Sequence, residues 1–225
     1  MVQELICELN LALIPDTTLA NRHIAFSKQL AKQYPAVIKL NGVSPRLAFT
    51  PHLTLYQVPI HLADMPALHC ALANLAASSA AFMLSATEYG ANETEGSCEV
   101  RYAPTGELMR LQGEVIAAVN PLRGDLLLER DPAGHKLTEL IERPGKIGDN
   151  IRRTGFDAVG DPAQGGLFHP HVTINWFELG TSIQLNAPDW PRISDFDGRF
   201  VTLGIFVLGP YGTCVQRLAA LELAA

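Results

Sequence analysis

The chain contains the same seven-residue pattern twice. "FTPHLTLYQ" at 49–57 and "FHPHVTINW" at 168–176 both fit Phe-x-Pro-His-[Leu/Val]-Thr-[Leu/Ile], 119 positions apart. Alternating apolar and polar residues, rich in Thr and aliphatic side chains and bounded by proline, predict a β-strand in each copy. Side chains two positions apart then share a face, about 6.6–6.8 Å from one another. The first copy is expected to turn Thr50, His52, Thr54 and Tyr56 one way, and Phe49, Leu53 and Leu55 the other. The second turns His169, His171, Thr173 and Asn175 one way, against Phe168, Val172, Ile174 and Trp176. The apolar sets belong in a core. The polar sets face water or a cleft, because burying unpaired His and Thr is costly.

The flanking segments predict an α+β chain with largely antiparallel pairing. Residues 5–13 read as a strand that ends at Pro15, and 17–34 as a helix with Leu19, Ile24, Phe26 and Leu30 near helical spacing. The first repeat predicts a strand over 46–60. The Ala- and Leu-rich stretch 65–80 follows as a helix, with Pro66 suited to its first turn. Residues 81–90 and 97–104 read as a strand pair, and 105–120 as a helix. Short helical pieces are expected around the Pro-Gly break in 136–155, then strands at 167–179, 200–210 and 214–223. No linker is rich enough to separate independent domains. Residues 1–225 therefore read as a single bilobal domain with one repeat strand per lobe.

Composition limits the function. With 17 basic and 23 acidic residues the net charge is −6, which argues against a broad phosphate-tracking surface and against an extended nucleic-acid interface. A small anion held by a few placed donors remains compatible. Cys7, Cys70, Cys98 and Cys214 are scattered and form no CxxC pair, so they read as reduced thiols rather than a metal site or disulfide framework. No apolar stretch approaches the ~20 residues needed to span a bilayer. The N-terminus carries Glu4 and Glu8 where a signal peptide carries Lys or Arg. A soluble, cytoplasmic monomer without membrane association is expected.

A His and a Thr on one strand face make a chemical half-site. Imidazole, with an ordinary pKa near about 6.5, takes or gives a proton at neutral pH. A Thr hydroxyl is short, stiff at χ1 and donates to an anionic oxygen. Two half-sites facing each other supply what an in-line phosphoryl displacement needs. One His deprotonates the attacking oxygen, the other protonates the leaving oxygen, and two hydroxyls hold the non-bridging oxygens. Neither a cofactor nor a metal is required.

"HLTL" at 52–55 and "HVTI" at 171–174, in a chain of this size, resemble the two His-x-Thr-x motifs of the 2H phosphoesterase superfamily. That group includes 2′-5′ RNA ligase-like proteins and cyclic nucleotide phosphodiesterases. The resemblance implies two pseudo-symmetric antiparallel sheets flanked by helices around a central cleft. It implies His52 and His171 as the acid/base pair and Thr54 and Thr173 as phosphate ligands. It also implies a nucleotide or RNA-end phosphodiester, cyclic phosphates among them, as substrate. One departure stands out. The ligase-like branch continues the second motif into a basic residue, whereas here Asn175, Trp176 and Phe177 follow. A smaller phosphodiester is therefore favoured over RNA.

Other residues carry two readings each. Tyr56 extends the His52 face and either stacks on a base or ends its strand in water. Asn175 either bonds substrate or is solvated. His169 shares the face of His171, so a His-x-His metal site competes with a plain rim position, and nothing at matching spacing offers a third ligand. Lys136, Arg143, Lys146, Arg152 and Arg153 form the densest basic stretch, but Glu139, Glu142 and Asp149 are interleaved, as on a solvated charged face. Tyr211, in "LGPYGT", follows a late strand at a turn. The rivals to a phosphodiesterase are RNA 2′-5′ ligation or RNA-end processing, a nucleotide-binding module without turnover, and a metal-dependent hydrolase.

Overall fold

The computed structural model describes residues 5–40, 49–92 and 96–224. The elements run β1 (Ile6–Pro15), α1 (Thr17–Gln33), β2 (Ala36–Lys39), β3 (Leu53–His61), α2 (Met65–Ser78), β4 (Phe82–Leu84), β5 (Ala86–Asn92), β6 (Ser97–Tyr102), α3 (Gly106–Arg123), α4 (Leu137–Leu140), α5 (Lys146–Thr154), β7 (His171–Phe177), β8 (Gly198–Leu208) and β9 (Cys214–Glu222). Local chemistry sets several of these ends. Asp16 caps α1 by accepting the Leu19 N–H at 2.8 Å, and Pro35 lies just past the helix. Thr105 caps α3 through the Leu108 N–H at 3.3 Å. Gly155, with φ +72°, ends α5 in the left-handed conformation that glycine adopts without a Cβ penalty.

The strands form two antiparallel sheets, as expected of an α+β chain. The first has the order β3-β1-β8-β4, with β9 also paired to β8. The second has the order β2-β7-β6-β5. The repeat strands occupy unequal places: β3 is an edge strand of the first sheet, whereas β7 lies inside the second. Each has a helix behind it, α3 against β3 and α1 against β7. The first helix of the chain thus backs the second repeat strand. One apolar core runs through both sheets, from Leu9, Leu11 and Leu55 to Val100, Val172 and Ile174. Leu19, Phe26 and Leu30 bury the inner stripe of α1, each stabilising by roughly 1.5–3 kcal/mol.

Two expectations need correction, and one short strand adds to them. The strand expected over 46–60 starts only at Leu53, after Pro51 has removed a backbone donor; residues 46–48 lie outside the described residues. The strand pair expected at 81–90 and 97–104 is divided. Only β5 pairs β6, while β4 joins the other sheet through β8. The four-residue β2 was not anticipated, because it is too short to show a period.

Candidate active site

Each repeat strand carries a β-bulge just after its Thr. Along β1 and β3, Ala12 pairs with Thr54 but Leu11 pairs with Tyr56, so Leu55 is the extra residue. Along β6 and β7, Glu99 pairs with Thr173 but Cys98 pairs with Asn175, so Ile174 is extra. A bulge sets two residues opposite one and reverses which face the following side chains take. Strict alternation therefore fails at the same point in both copies. Beyond the bulges the cavity wall is lined by Gln57 and Trp176.

The correction is sharpest for Tyr56. Its ring is fully buried, edge-on to Phe156, and its hydroxyl donates to the Thr154 carbonyl at 2.5 Å. Burial pushes its pKa up to about 12 against a smaller downward pull from Arg123. Tyr56 is a packing residue that braces α5, not a stacking surface. Asn175 takes the corresponding place in the second copy. It borders the cavity but pairs with buried Cys98 and is 1% exposed. Its amide nitrogen and oxygen have no hydrogen-bond partner among the described residues.

His52, Thr54, His171 and Thr173 line one cavity of about 320 Å³, a size suited to a small ligand. His52 Nδ1 lies 2.8 Å from the Thr50 carbonyl. A carbonyl only accepts, so Nδ1 carries the proton and Nε2 presents its lone pair. Asn10, wholly buried on β1, donates from Nδ2 to the Gly212 carbonyl at 2.8 Å and to Thr54 Oγ1 at 3.2 Å, and lies 3.4 Å from His52 Nε2. Burial lowers the pKa of His52. The Thr50 and Gly212 carbonyls oppose that shift and the charge of His171 adds to it.

His171 repeats part of this arrangement, with Nδ1 donating to the His169 carbonyl at 2.8 Å. Its Nε2 meets a different neighbour, Glu99 Oε2 at 3.6 Å. Glu99 is held by Arg101, whose Nε donates to Oε1 at 2.7 Å while Nη1 bonds Glu88 at 2.9 Å. Burial pushes the Glu99 carboxyl up, but His171, Arg101 and His169 together outweigh it and hold it below the usual carboxylate range. His169 is an exposed rim residue that also borders the cavity. Among the described residues no three His, Cys, Asp or Glu side chains are grouped to hold a metal ion.

Two further wall residues come from separate parts of the chain. Trp176 and Tyr211 stack with ring centroids 4.9 Å apart and planes at 33°. Both also border an adjoining hollow of about 770 Å³, together with Gln57, Asp131 and Pro132. Tyr211 adopts φ +58°, a backbone conformation costly for a bulky residue and common at ligand sites. Sequence alternation assigned Trp176 to the core, so only the bulge reveals it. The basic stretch lies elsewhere: Arg152 pairs with Asp149, Lys136 with Glu139, and neither borders the cavity.

The fold is shared with solved phosphoesterases. LigT of E. coli, solved in apo form and also with ATP or 3′-AMP, aligns with a TM-score of 0.54 in the apo form, at 14% identity over 99% of this chain and 100% of LigT. TT0787 of Thermus thermophilus aligns with a TM-score of 0.55 at 18% identity, over 96% and 97% of the two chains. A protein solved as a phosphoesterase gives 0.53 and 14%, over 97% and 99%. Neither a protein-family model nor a curated protein sequence matches the chain. At these identities the likeness is one of fold: the chain has the two-sheet architecture of LigT-like phosphoesterases. No helix among the described residues is long and apolar enough to cross a membrane.

Proposed function

We propose that the protein is a metal-independent phosphodiesterase of the 2H superfamily, with His52 and His171 as its acid/base pair and Thr54 and Thr173 as its phosphate ligands. The observation that carries this is the matched Nδ1 contact of the two histidines. Each commits Nδ1 to the carbonyl two residues upstream, which leaves Nε2 for proton transfer in a shared cavity. Thr54 accepts from Asn10, so its own O–H is left to donate to a non-bridging phosphate oxygen.

The substrate class that fits is a small nucleotide-type phosphodiester, such as a 2′,3′-cyclic phosphate. The stacked Trp176–Tyr211 pair offers an aromatic face for a base. LigT has been solved with ATP and with 3′-AMP, which supports a nucleotide ligand here. RNA-end processing has less support. Among the described residues bordering the cavity, Arg101 is the lone Lys or Arg, and it is already paired with Glu99 and Glu88.

The test is turnover of 2′,3′-cyclic nucleotides and cyclic-phosphate-ended oligonucleotides in EDTA by wild type, His52→Ala and His171→Ala. Wild-type turnover that falls by roughly 10²–10⁴ in both variants is expected. Turnover that survives both substitutions, or that EDTA abolishes, overturns the assignment.

A further inference from the structure

The two half-sites match in sequence, yet their Nε2 atoms have different neighbours. At His52 the neighbour is the Asn10 amide. The Gly212 carbonyl orients that amide, because a carbonyl cannot face another acceptor, so the nitrogen end of Asn10 is turned toward His52 and Thr54. The amide has two N–H groups for three acceptors, so the one not given to Gly212 is shared between Thr54 Oγ1 and His52 Nε2; it matches a lone pair on Nε2, and burial of the ring outweighs the opposing pull of the Gly212 carbonyl. At His171 the neighbour is the Glu99 carboxylate, an acceptor that matches a protonated Nε2 and repels a lone pair. Arg101 fixes the other carboxylate oxygen, which directs Oε2 toward His171.

Resting on the phosphodiesterase reading above, we propose that these neighbours polarise the pair: Asn10 specifies His52 as the general base, and Glu99, held by Arg101, specifies His171 as the general acid. Asn10 and Glu99 are positioning residues. In hydrolysis of a cyclic phosphate, a water O–H bond breaks and its proton goes to His52 Nε2. The water oxygen forms the new P–O bond as the in-line P–O bond to the ribose oxygen breaks. The leaving oxygen takes the proton from His171 Nε2, and solvent exchange restores both rings. The charged and titratable groups around the pair are Glu99 and Arg101 from β6, His169 before β7, Asp131, Asp157 and Tyr211 from the loops, and each histidine to the other. Of these, Glu99 is the carboxylate that lies within ion-pair distance of a ring nitrogen, His171 Nε2 at 3.6 Å. The lowered proton affinity of His52 agrees with the assignment.

The leaving group tests it. A nucleoside p-nitrophenyl phosphate expels a phenolate that needs no proton. His171→Ala is expected to lose roughly 10²–10⁴ on a 2′,3′-cyclic nucleotide but to stay within about tenfold of wild type on the nitrophenyl diester, whereas His52→Ala loses both. The reverse rescue, or equal losses in both variants, overturns the assignment. Glu99→Gln, nearly isosteric, is expected to move the alkaline limb of kcat/KM to lower pH and leave the acid limb in place. An unmoved profile counts against Glu99. Should wild type turn over neither substrate, the phosphodiesterase reading fails, and NMR titration of the two rings still decides the polarity. His52 is expected to lose its proton below the ordinary imidazole value, and Glu99→Gln is expected to perturb the His171 ring while leaving His52 unchanged. A His52 that holds its proton above the ordinary value, or a Glu99→Gln effect confined to His52, overturns the proposal.

Discussion

Tyr211 holds its ring 4.9 Å from that of Trp176 while its backbone sits at φ +58°. The stacking and the strain oppose each other at one residue. Strain of about 1–3 kcal/mol is offset in part by an aromatic contact of about 0.5–1.5 kcal/mol. Tyr211→Gly relieves the first and forfeits the second, so chemical denaturation is expected to show a change within about 1 kcal/mol. Nucleotide binding should respond more. Loss of one stacking face is expected to raise KM for a cyclic nucleotide about tenfold, on the order of 1–3 kcal/mol per stacked base. A base-free ribose cyclic phosphate should be unaffected. Equal effects on both substrates would remove the pair from base recognition.

Gly90 controls the Glu99–Arg101 pair by absence of a side chain. A Cβ there would lie 2.5 Å from Arg101 Nε and 2.7 Å from Glu99 Oε1. Both are ends of long side chains, so Gly90→Ala should fold and shift the pair aside. Its pH profile is then expected to move in the same direction as that of Glu99→Gln. A wild-type profile in Gly90→Ala would mean the pair accommodates the methyl without reorienting Oε2.

Tyr56→Phe separates the bulged strand from an unbulged one. The substitution leaves the buried Thr154 carbonyl without the Tyr56 donor, at a cost of about 1–3 kcal/mol. Stability measured in urea should fall by that amount, while kcat/KM stays near wild type. A large drop in kcat/KM with unchanged stability would put Tyr56 at the substrate after all.

His23 gives the fold a pH dependence unrelated to catalysis. It is fully buried, with Nδ1 donating to the Leu19 carbonyl at 2.9 Å and Nε2 accepting from the Tyr102 hydroxyl at 2.9 Å. Burial lowers its pKa from 6.5 to about 3. Its neutral form is the folded form, so its contribution is complete above the unfolded value of about 6.5 and is lost as pH falls from there toward about 3. Between pH 7.5 and pH 5 the loss is expected to be on the order of 2 kcal/mol. His23→Gln should show a correspondingly shallower pH dependence of stability; an identical slope would exclude His23 as its source.

Much of the site can be read in the linear chain. The His-x-Thr repeat and its flanking Pro and Phe identify two strands with a polar side, because side-chain alternation is a local property of extended backbone. His52, Thr54, His171 and Thr173 all lie before their bulges, where alternation holds, and all four line the cavity. Tyr56 and Trp176 lie after the bulges, and there the same rule assigns the wrong face, whereas Asn175, also past its bulge, still borders the cavity.

What the sequence by itself determined is therefore the residue types, their spacing and the α+β pattern of elements. Those follow from propensity, period and proline placement, which act within a few residues. Tertiary structure decided the rest. A bulge exists only against a partner strand, so it is the pairing with β1 and β6 that turns Gln57 and Trp176 inward. The difference between two matching motifs comes from the same source: β1 brings an amide donor to His52, and β6 brings a carboxylate to His171. Proton affinity depends on what lies within a few ångströms in space, and residues 10 and 99 are far from residues 52 and 171 in the chain.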